Sequence, residues 1–488
     1  MTEGSTLDPI AFWARVRPDR VALRQNDKVW TYRRLEEAVS RIAYAFYDEG
    51  TVSGEHVSIE FEAAHGLHFA ITLHALHRIG LLPVLIDPRL AEPQRIELRN
   101  RAAVDFALTT SPERVEDPGS AQTILTEPPR IERQLGAPAA ICFTSGTEGR
   151  PRAVALTHGN FLWGALASGR NLGVQANDVW LACLPLHHVG GLSVLTRSAY
   201  YGTAVLIHDR FDADQVNAAI DHEGVTLLSL VPPMLARLLV SRGERPFPQT
   251  LRAALVGGGP TPPELLRHAA RLGLRALPTY GLTEATSQVA TLSPRVWPQG
   301  LHTCGRPLPF VRVEIRSADG RALGPGEEGE IAVQGPTVSE GYFDEPEESV
   351  KLARRRWLMT GDIGAWDEAG RLIVLDRRTD RIVVGGENVS PAEVERALGE
   401  NPAIAEICVV ALPAAEWGHE IAAAVTLRPG ATLTLAELRA FGSQKLAPFK
   451  LPRRLCVAES LPRNAAGKLL RPVVRSWFLA PVAQQDQA

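Results

Sequence analysis

Residues 139–156 read AAICFTSGTEGRPRAVAL. Ala139 to Phe143 is an apolar run of strand length, Ala153 to Leu156 is another, and a loop of small and basic residues joins them. In that loop Thr144, Ser145, Gly146, Thr147 and Gly149 let backbone N–H groups converge. The hydroxyls add donors, and Arg150 and Arg152 add positive charge. Such a composition suits an anionic phosphate chain. A glycine-rich loop taken alone is as readily a plain turn, and this one is no Walker loop, because GxxxxGK[ST] is absent and no helix follows at once. The run of hydroxyls beside two arginines favours the phosphate reading.

Strand and helix signals alternate on both sides of this loop. Thr31 opens a helical pattern in which Leu35, Val39, Ile42 and Phe46 recur at helical spacing. Val57 to Phe61 alternates like a strand, Phe69 to Ile79 is helical, and Leu82 to Ile86 is a short apolar strand. Further on, Thr226 to Val231 and Ala253 to Val256 read as strands. The first leads into Pro232-Pro233 and a helix through Leu239. The second runs into Gly257-Gly258-Gly259, after which Thr261-Pro262-Pro263-Glu264 forms a capping box. This alternation predicts doubly wound α/β units. From about Val311 the signal changes to short strands with glycine turns (Val311 to Ile315, Glu330 to Val333, Leu372 to Leu375), which predicts a small β-rich subdomain. Capping boxes at Ser390 to Glu393 and Thr434 to Glu437 flank strand-like runs at Ile407 to Leu412 and Ile421 to Leu427, the pattern of a separate α+β domain.

With 488 residues the chain exceeds what one hydrophobic core serves, so at least two domains are expected, 1–378 and 379–488. Hydrophobic residues make up 45% and charged residues 22%, the mix of a soluble globular protein. A net charge of −3 provides no electrostatic footprint for nucleic acid or an anionic membrane. The five cysteines form no CxxC pair, so neither a zinc site nor a disulfide framework is indicated, and four of them sit in apolar runs as small buried hydrophobes. No signal peptide and no spanning apolar stretch is present, so a cytoplasmic setting without membrane is expected. The oligomeric state stays open, a homodimer included.

Four further segments carry chemistry. Tyr280-Gly281-Leu282-Thr283-Glu284 pairs a carboxylate with a hydroxyl, able to hold magnesium and a phosphate oxygen together, beside a ring that can stack on a base. Thr360-Gly361-Asp362, followed by Asp376 to Asp380, includes a carboxylate that can accept from both ribose hydroxyls. Gly385-Gly386-Glu387-Asn388 and the loop Pro462 to Lys468, with a lysine at its tip, complete the series. Each alone reads equally as a turn or a solvated charge run.

Taken in order, the five segments resemble the adenylate-forming superfamily of acyl-CoA synthetases, nonribosomal adenylation domains and luciferases, over about Phe12 to Arg471. Leu184 to Leu192 (LPLHHVGGL), Thr283 to Pro294 (TEATSQVATLSP) and Leu461 to Arg471 (LPRNAAGKLLR) look like the o-succinylbenzoate–CoA ligases of menaquinone synthesis. The resemblance implies a large N-terminal domain that binds ATP and the acid, and a mobile C-terminal domain that turns about a hinge near Thr379. It implies ATP, magnesium and coenzyme A as cofactor and co-substrates, and a thioester made through an acyl-adenylate. Residue by residue, Thr144 to Gly149 and Arg152 would embrace the phosphates. Gly257, Gly258, Gly259 and Tyr280 would frame adenine, and Gly281 would also belong to the nucleotide site. Thr283 would contact the α-phosphate and Glu284 the magnesium. Asp362 would hold the ribose with Arg377 nearby, Gly386 would line the pantetheine tunnel, and Lys468 would reach carboxylate and α-phosphate. The second carboxylate of o-succinylbenzoate calls for a cation or imidazole, with His188 and Arg197 as candidates and Ser287 and Gln288 also at the acyl pocket.

Two residues depart from the family pattern: Glu148 stands where Thr or Ser is usual, and Arg152 where Lys is usual. Arginine keeps the charge but changes its shape and hydration. A different aryl or fatty acid, a relative that binds nucleotide without catalysis, and an adenylation domain feeding a carrier protein remain alternatives. Intact Lys468, Glu284 and Asp362 argue against the second of these. His187-His188 lacks the following Asp of HHxxxDG motifs, which disfavours condensation chemistry.

Overall fold

A computed structural model describes residues 4–110, 132–145, 151–259, 261, 263–345, 347, 349, 356–377, 382–389, 391–462 and 471–479. The chain divides into two compact units, one made of Met1–Pro88, Leu98–Thr144 and Arg152–Arg378, the other of Arg89–Glu97, Ser145–Pro151 and Thr379–Ala488.

Among the described residues the first unit has four sheets, one of them only the two-stranded antiparallel pair Ser5–Thr6 and Arg133–Gln134. Its largest has eight strands in the order Ala290–Thr291, Ala276–Tyr280, Ala253–Val256, Leu227–Leu230, Val179–Ala182, Ala204–Ile207, Val21–Gln25 and Lys28–Thr31. The inner pairings are parallel and the two outermost are antiparallel. Every residue of Leu227–Leu230 and Ala253–Val256 is buried, as expected of parallel strands covered on both faces by helices. A second sheet runs Phe106–Leu108, His56–Ile59, Leu82–Leu85, Pro138–Ser145, Pro151–Thr157, so the two strands read from residues 139–156 lie side by side. The β-rich subdomain is a four-stranded antiparallel sheet of Arg312–Arg316, Gly329–Gln334, Leu358–Trp366 and Leu372–Arg377.

Helix starts follow local chemistry where a cap is present. The Thr31 hydroxyl accepts from the Arg34 amide at 3.2 Å and opens Tyr32–Asp48, whose buried face carries Leu35, Val39, Ile42 and Phe46. One difference is informative. The helix expected from Phe69 begins at Gly66, because the Gln25 side chain, on a strand of the large sheet, accepts the Leu67 amide at 2.7 Å. A cap supplied from another element leaves no local trace in the sequence. Of the five cysteines, Cys142, Cys183 and Cys408 are buried, whereas Cys304 and Cys456 are partly exposed.

The second unit has its own core, with Val394, Leu398, Val409, Ile421 and Leu438 at its centre. Ile404–Ala414 and Gly418–Leu427 form a long antiparallel hairpin, which Arg454–Val457 joins in parallel. A reciprocal capping box between Thr434 and Glu437 starts Leu435–Gly442, as the sequence predicts. The boxes expected at Thr261 and Ser390 involve Pro262 and Ser390, outside the described residues, although helices do begin at Pro263 and Pro391. No helix among the described residues is long and apolar enough to cross a membrane.

The helix Gly66–Ile79 is buried along its whole length and includes His74 and His77. His77 Nε2 lies 2.7 Å from the Ala139 carbonyl oxygen, and its ring meets that of His158 edge-on at 4.9 Å. Beside them Arg133 and Arg78 share the Asp8 carboxylate at 2.9 and 3.2 Å. Burial first, and then the charge of Arg133, hold His74 and His158 down to about 3. Burial together with His158 and Arg133 holds His77 well below its usual value. Because these folded values lie below the unfolded one, the unfolded chain takes up protons that the folded chain refuses. Stability is therefore full above about pH 6.5 and falls as the pH drops. Three such groups correspond to a slope approaching about 4 kcal/mol per pH unit well below pH 6.5. The denaturant midpoint should fall markedly between pH 7 and pH 5, and His74→Gln should flatten that fall by about a third. Equal midpoints at the two pH values would contradict this account.

Candidate active site

The strand Ala276–Tyr280 ends in a turn folded tightly on itself. A Cβ on Gly281 would lie 1.3 Å from the Ser287 carbonyl oxygen, so only glycine fits. The Ser287 amide donates to Leu282 O at 3.1 Å and the Val289 amide to Tyr280 O at 2.8 Å, closing the loop. Within it Thr283–Ala285 forms one 3₁₀ turn, and Thr286 and Ser287 follow at φ 53° and 83°. Two consecutive non-glycine residues in the left-handed region cost free energy, and they persist because neighbours hold them. The Ser339 amide donates to Glu284 O at 2.8 Å, and the Thr286 hydroxyl to Thr337 O at 2.7 Å. Asn160, at the start of helix His158–Leu172, holds that same 336–338 segment through Pro336 O and Val338 O. The outcome is a buried Glu284 carboxylate whose Oε1 accepts from the Tyr342 hydroxyl at 3.2 Å.

The groups expected around a nucleotide lie on neighbouring elements of the first unit. The Tyr280 hydroxyl donates to Asp362 Oδ2 at 2.7 Å, joining two segments 82 residues apart, both side chains buried. Thr360 Oγ1 donates to Ile331 O at 2.8 Å and accepts the Asp362 amide at 3.1 Å, which fixes the backbone there. Arg377 is the register partner of Asp362 on the adjacent strand. Gly257 has no room for a Cβ, which would lie 2.6 Å from Thr279 Cγ2, and Gly258 sits at φ 81° with Gly259 after it. At the end of Pro138–Ser145 the Thr144 hydroxyl is buried and has no partner among the described residues.

Arg152, on the strand leaving the loop, donates from Nε and Nη2 to the two Glu345 oxygens at 3.2 and 2.7 Å, and its guanidinium lies 3.5 Å from the centre of the Tyr342 ring. Burial opposes its charge, but the Glu345 hydrogen bond and the negative surroundings, Glu284 included, outweigh that and raise its pKa.

Of the residues expected at the acyl pocket, His188 is the N-cap residue of helix Val189–Tyr201, and its ring lies 4.5 Å from that of His187. His187 Nε2 stands 3.2 Å from Asp87 Oδ2. Arg197, on the same helix, is 3% exposed; its Nη2 has no partner among the described residues, and its guanidinium lies 5.9 Å from the centre of the Trp180 ring. Burial lowers its pKa to about 10. Gln288 is buried, donating to Thr291 Oγ1 at 2.8 Å while its Oε1 has no partner among the described residues.

The turn at Gly281 therefore brings Tyr280, Thr283, Glu284, Ser287 and Gln288 onto one loop and sets Asp362 against Tyr280. Gly386 belongs to the second unit, where Gly385 and Gly386, both at positive φ, make the turn between Ile382–Val384 and Glu387–Val389. Lys468, Gly146, Thr147, Glu148, Gly149, Arg150 and the hinge position Thr379 lie outside the described residues, as does the side chain of Ser145. Tyr342, Glu345 and Asp87 escaped the sequence reading. Nothing in Gly341-Tyr342-Phe343-Asp344-Glu345 marks it as part of a site, since its partners are remote in the chain.

A single buried carboxylate flanked by hydroxyls fits magnesium, which is held by one or two carboxylates together with substrate phosphates. The buried Thr144 hydroxyl and the buried Nη2 of Arg197, neither with a partner among the described residues, both suit anionic partners.

Similarity to known proteins falls on two stretches of the chain. Residues 10–343 match the model of the AMP-binding enzyme family and residues 393–468 that of the AMP-binding enzyme C-terminal domain. The 2-succinylbenzoate–CoA ligase of Bacillus cereus is 37% identical over 469 residues, 95% of this chain and 96% of its own. Among solved structures, o-succinylbenzoate CoA synthetase from Bacillus subtilis, as a double mutant with its product analogue OSB-NCoA, is 34% identical with a TM-score of 0.90, covering 97% of this chain and 99% of that one. The same enzyme in complex with ATP and a magnesium ion is 34% identical with a TM-score of 0.70, covering 96% and 99%. On these matches, which span most of its length, the chain belongs to the AMP-binding enzyme family.

Proposed function

We propose that the chain is an AMP-forming o-succinylbenzoate–CoA ligase. It joins the acid to ATP as an acyl-adenylate with release of diphosphate, then passes the acyl group to the thiol of coenzyme A with release of AMP. The observation that carries the substrate is Arg197, a buried guanidinium whose Nη2 has no partner among the described residues. A buried cation without an acid is costly unless a ligand completes it. An acid with two carboxylates supplies one group to react and one to be held.

The chemistry asks for little proton transfer, because a carboxylic acid is ionised near neutral pH. The difficulty is bringing two anions together while charge builds on the departing diphosphate, so catalysis lies in groups already placed where that charge develops. Glu284 would hold the magnesium, which supplies charge neutralisation at the phosphates. Thr283 and Thr144 would donate hydroxyl hydrogen bonds to phosphate oxygens. Asp362, aimed by Tyr280, would accept from ribose hydroxyls, while Gly257, Gly258 and Gly259, having no side chains, would let a base approach the backbone. Lys468 would bridge acid and α-phosphate from the C-terminal domain of residues 379–488, and Gly386 would leave the thiol a path. Free cysteines throughout accord with a reducing compartment such as the cytoplasm.

AMP release measured with o-succinylbenzoate, benzoate and a fatty acid, each with and without coenzyme A, tests the substrate. The dicarboxylate should be preferred, and a higher kcat/KM for benzoate or a fatty acid would overturn the reading. Arg197→Met should cost roughly ten- to a hundred-fold in kcat/KM for o-succinylbenzoate and little for benzoate. It should also raise the thermal midpoint of the ligand-free chain, since a buried charge with no acid beside it among the described residues is removed. A lower midpoint with equal loss on both acids would give Arg197 a structural role instead. Lys468→Ala should slow adenylation by roughly 10²–10³-fold while leaving the conversion of preformed adenylate to thioester nearly unchanged. Equal damage to both half-reactions would count against that assignment.

A further inference from the structure

Tyr342 and Glu345 have no place in the mechanism above, yet they touch Glu284, which would hold the magnesium, and Arg152, which the family resemblance sets at the phosphates. The segment that carries them is fastened to the strand Pro151–Thr157. The Phe343 amide donates to Ala153 O at 2.7 Å, and the Ala153 amide to Asp344 Oδ1 at 3.2 Å. Arg101 also holds Asp344. Ser349 Oγ accepts the Tyr342 amide at 2.8 Å and donates to Tyr342 O at 2.9 Å. With its backbone fixed on both sides, the Tyr342 ring forms a platform between Arg152 and Glu284. Arg152 lies on its face at 3.5 Å, and its hydroxyl reaches Glu284 Oε1 at 3.2 Å.

The Arg152–Glu345 pair is two-pronged, but its side chains are 23% and 32% exposed. An ion pair this open to water contributes only about 0–1 kcal/mol, so it can be exchanged. A polyphosphate offers the same fork-shaped acceptor with more charge. The pair also accounts for arginine where the family usually carries lysine. A lysine could neither fork onto Glu345 nor lie flat on the Tyr342 ring.

We propose that Arg152 is a shared cation. Glu345 holds it before nucleotide arrives, the Tyr342 ring carries it, and the phosphates of Mg·ATP take it over, while the Tyr342 hydroxyl aims Glu284 at the metal. Tyr342 and Glu345 are thus positioning residues. This rests on the reading of Glu284 and Arg152 as metal and phosphate contacts.

Calorimetric titration of the full chain with Mg·ATP, in the absence of acid, tests the exchange. Glu345→Gln should tighten binding by about two- to five-fold, the competition of one half-exposed ion pair. In an Arg152→Lys background the same change should have little effect, because the fork is gone. Tyr342→Phe should raise the magnesium concentration giving half-maximal AMP release about ten-fold, as loss of a group orienting a metal ligand does. The rate from preformed adenylate to thioester should not move. A purely structural role would lower activity and thermal midpoint without shifting the magnesium dependence. Weaker or unaltered Mg·ATP binding by Glu345→Gln, or an unmoved magnesium midpoint for Tyr342→Phe, overturns the proposal while normal wild-type binding leaves the nucleotide reading standing. A wild-type chain that binds no Mg·ATP overturns both.

Discussion

At Gly281 the chain doubles back so closely that the position of a single missing Cβ coincides with the neighbouring carbonyl of Ser287. The rest of the site is arranged around that closure. Because the loop is short and shut, Glu284 follows directly on the end of the strand Ala276–Tyr280 and Gln288 lies just before the returning strand Ala290–Thr291. Thr286 and Ser287 take up the left-handed backbone that the closure demands. Such backbone is tolerated only where surrounding bonds over-determine it, and here residues 336–339 supply them from the β-rich subdomain. One strained turn thereby ties the large sheet, the helix His158–Leu172 and the small sheet to the same carboxylate.

Charge in this unit is distributed with the same economy. Where cations are needed for structure they are paired, as with Arg78 and Arg133 on Asp8. Near the loop Arg152 has a partner that water can replace, and on the helix behind His188 a guanidinium nitrogen of Arg197 has none among the described residues. That gradation, from satisfied through exchangeable to orphaned, distinguishes cations that hold the fold from those suited to ligands.

Much of this was legible in the sequence, and what was not has a common cause. The strands at Ala253–Val256 and Leu227–Leu230 were visible because parallel strands buried on both faces must be continuously apolar. The β-rich subdomain and the Thr434 cap announce themselves by period and by local side-chain chemistry. The turn carrying Glu284 was found from its residue types, but its left-handed pair was hidden, since Thr and Ser carry no signal for positive φ. The early start of the helix at Gly66 depends on Gln25, which is 42 residues from the Leu67 amide it accepts. The Tyr342 and Glu345 contacts span 58 and 193 residues. Contacts of that range are made by topology, and no local periodicity records them.

The central claim is that the acid's own oxygen attacks the α-phosphorus of ATP, and isotope transfer tests it most directly. With o-succinylbenzoate labelled by ¹⁸O in its carboxylates, each turnover with coenzyme A should leave a single labelled oxygen in AMP, read by mass spectrometry. Label absent from AMP and recovered in phosphate or water would contradict the account.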